Sequence, residues 1–403
     1  VSAGTADHYD GILNIADHSF NINETTSLYV ENNFSGKTTQ LKIECSHDNS
    51  LVVYNGNITT NAINNGGATG NAFLFPFSNS GGADNNKGKF ILKGNAYLYG
   101  IGDDNSSKAA TLLFDGTGTQ TITNNNDNGY PVYLAFNTII GETQSPQVIL
   151  SGNNVHGFKS LNNLSIKNNA ILRIESTQSL NRVVSGVPGT FTLGTNSRII
   201  LRGNNFPSGY GTAYNLDASS TAEFNSDDGV NQAIANVTYG NLELSNATGS
   251  GNSTKTASAN IDIQGNMIIN SYVTFDQSNY LVTRTSSGGS FTLSANSIHI
   301  LTGSYPSGFS SFVNHANSTT NYNGAGDQNV SSVTYGNLIL SVSGKKTAAG
   351  NIGIAGNLNI ENAADFIGGN YSHTISGIWT NNSIFDAGNS TVRFTGSNNS
   401  LIT

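Results

Sequence analysis

The sequence predicts an all-β fold, a parallel β-helix or β-solenoid with Asn- and Gly-rich turns, expected to be right-handed. Internal repetition, short alternating apolar runs and a helix-averse composition carry that expectation. Charged residues make up only 10% of the 403 residues, against about 25% in an average soluble domain. Asn, Ser, Thr and Gly replace them, with 46 Gly. Exposed helix faces need Ala, Leu, Glu and Lys, which lose little entropy in a helix. Here Thr, Val, Ile, Phe and Tyr supply strand formers, while Asn and Gly supply residues that tolerate φ > 0 in tight turns. A disordered polar tract is argued against by only 6 Pro, by 9% aromatic residues and by apolar residues in alternating runs.

The repeats come next, because a fixed period decides the architecture. Gly189-Thr190-Phe191-Thr192-Leu193 returns 100 residues on as Gly289-Ser290-Phe291-Thr292-Leu293. The match runs through Asn196-Ser197 and Asn296-Ser297 to Pro207-Ser208-Gly209-Tyr210 and Pro306-Ser307-Gly308-Phe309. Val237-Thr238-Tyr239-Gly240-Asn241-Leu242 recurs as Val333-Thr334-Tyr335-Gly336-Asn337-Leu338, and Ile261–Met267 recurs as Ile352–Leu358. The offset shrinks along the way, so deletions fall in loops. A shorter box appears four times, at Thr111–Gly116, Thr221–Asn225, Thr320–Gly324 and Thr391–Gly396. Three of the boxes lead to a Gln and an aliphatic residue, at Gln120, Gln232 and Gln328. A repeat of about 100 residues spans several coils of the 20–45 residues typical of solenoids. With about 22 residues per coil and about 4.8 Å of rise, the expectation is a rod of about 80–90 Å.

Element by element, strands are expected at Phe191–Leu193, Arg198–Leu201, Glu223–Asn225, Asn241–Leu244, Ile261–Ile263 and Met267–Ile269. Phe191, Leu193, Ile200, Tyr239 or Leu242, Leu244, Ile261 and Ile263 are expected to point inward and stack on their repeat partners. Asn163, Asn241 and Asn337 are candidates for an inward hydrogen-bonded ladder along the axis, with surface loop positions as the alternative. Residues 1–85 show no clear repeat and read as an atypical β region or cap. Runs at Leu28–Asn32, Gln40–Glu44 and Leu51–Tyr54 still look like strands. Residues 86–403 read as solenoid, expected to continue past Thr403 because no polar capping unit follows.

Net charge is −8, and no Lys/Arg cluster gives a nucleic-acid footprint or a polybasic membrane anchor. No apolar run approaches the roughly 18 residues of a membrane span. Cys45 is the only cysteine, which excludes an intrachain disulfide and fits either a cytosolic protein or a bacterial surface protein stable without one; the Asn, Thr, Ser and Gly bias favours the second. The opening Val1-Ser2-Ala3-Gly4-Thr5 is no signal peptide, as expected of a mature chain or a fragment.

Asn337-Leu338, Lys346-Thr347 in an expected turn, Ile352–Leu358, Trp379–Gly388 and Thr391–Gly396 occur in the order seen in a known family. Residues 235–403 resemble the long repetitive surface proteins of Bacteroidota, and 110–235 resemble them more weakly. The resemblance implies a β-helical, exported, adhesin-like or filamentous protein of the type IX secretion kind. It carries over no catalytic residue. Partners implied are other copies or neighbouring domains of a surface assembly, and glycans or host and surface proteins, at an extracellular location.

The rival classes are a β-helical polysaccharide-binding or polysaccharide-degrading enzyme and an ice-binding solenoid. Gly102-Asp103-Asp104 and His156-Gly157 superficially fit a galacturonase-like site, but no Asn-Thr-Asp precedes them and no Arg-x-Lys follows. Asp227-Asp228 is a similar pair. Asp103, Asp104 and Asn105 are candidates for a loop Ca²⁺, but they fit no EF-hand or nonapeptide pattern, and a solvated turn is the favoured reading. His8, His18, His47, His156, His299, His315 and His373 show no metal spacing, and His299 aligns with Ile199. Trp379 is expected to be core packing before sugar stacking. Thr119–Thr121, Thr190–Thr192 and Thr254–Thr256 are too scattered for a flat ice-binding array. The expectation is a structural or adhesive surface segment without catalytic residues, cofactor or metal.

Overall fold

A strand in a parallel stack takes its hydrogen bonds from the coil before and the coil after, so inward positions must be filled coil by coil. The computed structural model describes residues 189–396 without a gap. It also describes 51–55, 57–58, 89–98, 111–124, 131–134, 137–152, 157–160 and 162–182, and elsewhere in 8–75 the strands alone. Among the described residues there is no helix, and every paired strand is parallel to its neighbour. The protein is a parallel β-solenoid, as the composition and repeats predict. The chain divides into two units, Val1–Ser220 and Thr221–Thr403.

In the first unit, parallel pairing is present from His8–Asn14 against Thr38–Glu44 onward. One stack runs through Lys89–Leu92, Thr111–Phe114, Asn137–Ile140, Asn163–Ile166, Phe191–Leu193 and Tyr214–Leu216. A second runs through Thr119–Asn124, Gln147–Gly152, Ile171–Ile174 and Arg198–Leu201, and a third joins Val132–Tyr133, Phe158–Ser160 and Leu180–Arg182. In the second unit, one stack contains Thr221–Ser226, Asn241–Asn246, Met267–Ile269, Ser290–Leu293 and Ser311–Asn314. Another contains Gln232–Ile234, Ser253–Ala257, Val273–Ser278, Ile298–Leu301, Thr319–Tyr322, Asn337–Leu340, Leu358–Ile360 and Trp379–Asn381. Coil length varies. Leu164 faces Phe191, 27 residues on, whereas Thr319 faces Asn337, only 18 on.

The repeated motifs become physical objects here. Phe191 lies among Phe206, Tyr210 and Tyr214 at centroid distances of 5.7–5.9 Å. Phe291 lies in the same way among Tyr305, Phe309 and Phe312. Asn196 and Asn296 take φ of 55° and 60°, and the buried Ser197 and Ser297 hydroxyls donate back to Gly194 O and Ser294 O at 2.7 Å. In the Tyr-Gly-Asn-Leu motif, the buried Tyr239 and Tyr335 hydroxyls donate to the carbonyls of Ala235 and Ser331. A Cβ on Gly336 would lie 2.2 Å from His315 O, so only glycine fits. Leu242 and Leu338 point inward and are fully buried.

The asparagine ladder runs along the corners and not into the core. Asn241 Oδ1 accepts the Asn266 N–H at 2.8 Å, and Asn266 Oδ1 accepts the Ser290 N–H at 2.9 Å. Asn337 and Asn357 repeat the arrangement with the N–H groups of Asn357 and Ile378. Asn163, Asn241 and Asn337 are only half-buried. These side chains work by satisfying the next coil's backbone donor.

Three further expectations are corrected. Ile200 faces outward, and Ile199 and Leu201 fill the core. A one-residue shift moves a strand's whole apolar set to the other face, and an Ile-Ile-Leu run does not reveal which set is inside. Repeat partners do not stack on one another: Phe291 lies between Met267 and Phe312, and Leu242 faces Met267. Within the second unit, the equivalent strands Asn241–Asn246 and Asn337–Leu340 belong to different stacks. The long repeat is therefore not a whole number of coils. Lys346-Thr347 lies in the strand Gly344–Ala348 and not in a turn.

Phe291→Ala should cost about 3–5 kcal/mol, the range for deleting a buried Phe side chain. Thr292→Ala, on the outward face of the same strand, should stay within about 0.5 kcal/mol. Equal shifts in the denaturant midpoints of the two variants would contradict this packing.

Candidate functional site: buried glutamines and lysines at the coil corners

Three of the four recurring boxes end in a turn with a buried peptide group, at Gly116, Ser226 and Gly324, and an unpaired buried peptide group is costly. The glutamine that follows each of these three boxes satisfies that group. Gln120 Oε1 accepts the Gly116 N–H at 2.8 Å, and its Nε2 donates to Leu92 O and Gly94 O of the preceding coil at 3.0 and 2.8 Å. Gln328 makes the same three bonds, from Gly324 N at 2.9 Å and to Leu301 O and Gly303 O. Gln232 Oε1 accepts the Ser226 N–H at 3.1 Å. All three glutamines are buried.

Two of them face a lysine in the next coil, because Gln232 pairs in register with Lys255 and Gln328 with Lys346. Both lysines have 0% exposure, which is rare for the residue type. Lys255 Nζ donates to Gln232 Oε1 at 2.6 Å and to Ser226 Oγ at 2.5 Å. Lys346 Nζ donates to Gly324 O at 2.6 Å, Gln328 Oε1 at 2.7 Å and Gly326 O at 3.2 Å, one acceptor for each ammonium proton. Burial pulls the Lys255 pKa down to about 7 against the opposing pull of Glu223 and Asp227. Burial likewise lowers Lys346, and Asp327 opposes it. Opposite Gln120 the position is Val148.

His299 shows the same logic with another donor. It is fully buried, stacks on Phe275 at 5.3 Å, and its Nε2 lies 2.8 Å from Gln277 Oε1. Burial drops its pKa to about 3, so the ring is neutral; Gln277 Nε2 donates to Tyr280 O and Ser304 O, which leaves Oε1 to accept from His299 Nε2. The acids are spent in a similar way. Asp115 is 2% exposed and accepts the N–H groups of Glu142, Thr143 and Gln144 and the Thr143 hydroxyl. Burial raises its pKa, but those hydrogen bonds outweigh burial and leave it below the ordinary carboxylate value.

The other candidates are dispersed. Asp103, Asp104, Asn105, His18, His47 and His156 lie outside the described residues, and His8 is described only as the first residue of its strand. Asp228 is exposed, and its Oδ1 accepts from Thr248 Oγ1, Asn246 Nδ2 and Gly251 N, which keeps its pKa low. His315 Nδ1 accepts the Asn317 N–H, and buried His373 has Nε2 3.0 Å from Gly368 O. Trp379 is buried edge-to-face on Phe385 at 4.8 Å. Threonine rows are broken: outward positions run Thr254, Thr274, Ile298, Thr319 and Asn337. A shallow open hollow is lined by Glu142, Lys167 and Asn168, with Glu142 paired to Lys89 at 2.5 Å. Among the described residues no three His, Cys, Asp or Glu side chains gather as a metal ion would need.

Comparison with family models, with curated proteins and with solved structures finds no match. The corner pairs escaped sequence reasoning although both halves are visible in it. The signal is that Gln-x-aliphatic is followed about one coil later by Lys-Thr-Ala, at 255–257 and again at 346–348.

Two pH effects follow. The depressed Lys255 pKa means that the unfolded chain binds the extra proton between pH 7 and about 10.5. Stability should therefore rise with pH through that window, by up to about 1.4 kcal/mol per pH unit. Lys255→Met should flatten the rise when unfolding is measured from pH 7 to 9, below the range of ordinary tyrosines. His299 has the opposite range, since its neutral form is built in. Stability should fall as pH drops from about 6.5 toward 3, and His299→Ile, copying Ile199, should remove part of that loss. Unchanged pH profiles in either variant would refute the assignment.

Proposed function

We propose that the chain is a segment of an exported structural or adhesive surface protein, a stiff repeat solenoid that presents polar loops for attachment or filament assembly. The observation that carries this reading is how the polar side chains of the repeats are used. Gln120, Gln232, Gln328, Lys255, Lys346, His299 and Asp115 all bind one coil to another or close a turn. What recurs is the joint between coils, as a load-bearing stack needs. The low charge, the single cysteine and the order of motifs around Asn337–Gly396 support placement at a bacterial cell surface of the Bacteroidota kind, reached by type IX secretion. Other copies or neighbouring domains of the assembly are the proposed partners, with glycans or surface proteins engaged along the loops.

Antibodies raised against residues 221–396 should label intact cells of the source organism. Labelling that appears only after lysis would overturn the surface reading. In single-molecule pulling, Lys255→Met together with Lys346→Met should lower the unfolding force of the second unit. An unchanged force would remove the mechanical role of the corners.

A further inference from the structure

The residue before each glutamine-held peptide group is chemically vulnerable. The pairs are Asp115-Gly116, Asn225-Ser226 and Asn323-Gly324. In such pairs the backbone nitrogen of the second residue can attack the side-chain carbonyl carbon of the first. For asparagine, the new N–Cγ bond closes a five-membered succinimide, the Cγ–Nδ2 bond breaks, and ammonia leaves carrying the proton lost by the backbone nitrogen. Water then opens the ring to aspartate or isoaspartate. For aspartate, water leaves and later re-enters, and the product is isoaspartate. Isoaspartate places an extra backbone methylene where the ladder needs a fixed spacing. Small residues such as Gly and Ser hinder the attack least.

In all three boxes the attacking nitrogen is the one whose N–H is captured. Gly116 N donates to Gln120, Ser226 N to Gln232 and Gly324 N to Gln328, at 2.8, 3.1 and 2.9 Å. Gly116, Ser226 and Gly324 are buried, so no external base reaches the proton that must leave. The glutamines are held in turn: Gln328 is anchored to the preceding coil and receives Lys346 from the following one. At Asp115 the attacked carboxylate is pinned as well, by the amides of residues 142–144. The fourth box has Thr395-Gly396, and threonine cannot form a succinimide.

We infer that Asn225 and Asn323 are latent deamidation sites and Asp115 a latent isomerisation site, each held shut by the buried glutamine that captures the neighbouring backbone N–H. This goes beyond the surface-protein reading and stands without it.

The test compares the whole chain with its Gln328→Leu and Lys346→Met variants during prolonged incubation in mildly alkaline buffer. Peptide mapping then scores deamidation at Asn323 and at Asn225, which keeps its own lock on Gln232. In Gln328→Leu, deamidation at Asn323 should accelerate by roughly tenfold or more, as expected when a protected amide is opened, while Asn225 keeps its wild-type rate. Lys346→Met, which disturbs the same corner but leaves the Gln328–Gly324 bond, should accelerate Asn323 less. Three outcomes overturn the inference: no acceleration at Asn323 in Gln328→Leu, equal acceleration at Asn323 and Asn225, or Lys346→Met matching Gln328→Leu. The last two would show general loosening in place of a local lock.

Discussion

Parallel pairing between successive coils is the constraint from which the rest of this structure follows. A strand such as Met267–Ile269 has no partner within its own coil; Asn241–Asn246 lies on one side and Ser290–Leu293 on the other. Each side-chain position therefore repeats along the stack, and a residue that fits badly is felt by two neighbours. The aromatic clusters around Phe191 and Phe291 satisfy that condition with apolar bulk, and the corner asparagines satisfy it with hydrogen bonds.

The corners set a harder problem than the flat faces, because peptide groups that turn away from the ladder point into the core. Three glutamines meet that need with one side chain each, accepting within the turn or donating to the coil before. A lysine beside two of them adds donors that come from the coil after. Both lysines lose their solvent shell, and the exchange is tolerable because protein oxygens replace it. Val148 in the first unit shows that the joint also closes with an apolar neighbour. The lysine is therefore an addition to the glutamine and not a condition for it.

The fold was legible because its signals are local and repeated. Asn296-Ser297 and Tyr335-Gly336-Asn337-Leu338 repeat earlier segments because each residue has a separate geometric duty: a positive φ, a turn closure, a buried hydroxyl, a close approach, a corner bond and a core contact. What stayed hidden depends on which coil lies next to which. Ile200 was assigned to the wrong face because its neighbours are equally apolar. The inward lysines were missed because alternation in Ser253–Ala257 marks two faces without saying which is inside, and a charge is ordinarily assigned to the outside. The glutamine boxes were seen as a pattern, but their partners lie 18–23 residues away in sequence and meet only through coil register.

The mismatch between the long repeat and the coil bears on what neighbours would encounter. In the second unit, equivalent segments such as those at Asn241 and Asn337 occupy different stacks. The loops that flank these two equivalent segments thus leave the second unit from different faces. The chemistry that these two segments share is therefore split between two faces and does not line up as one single-sided row.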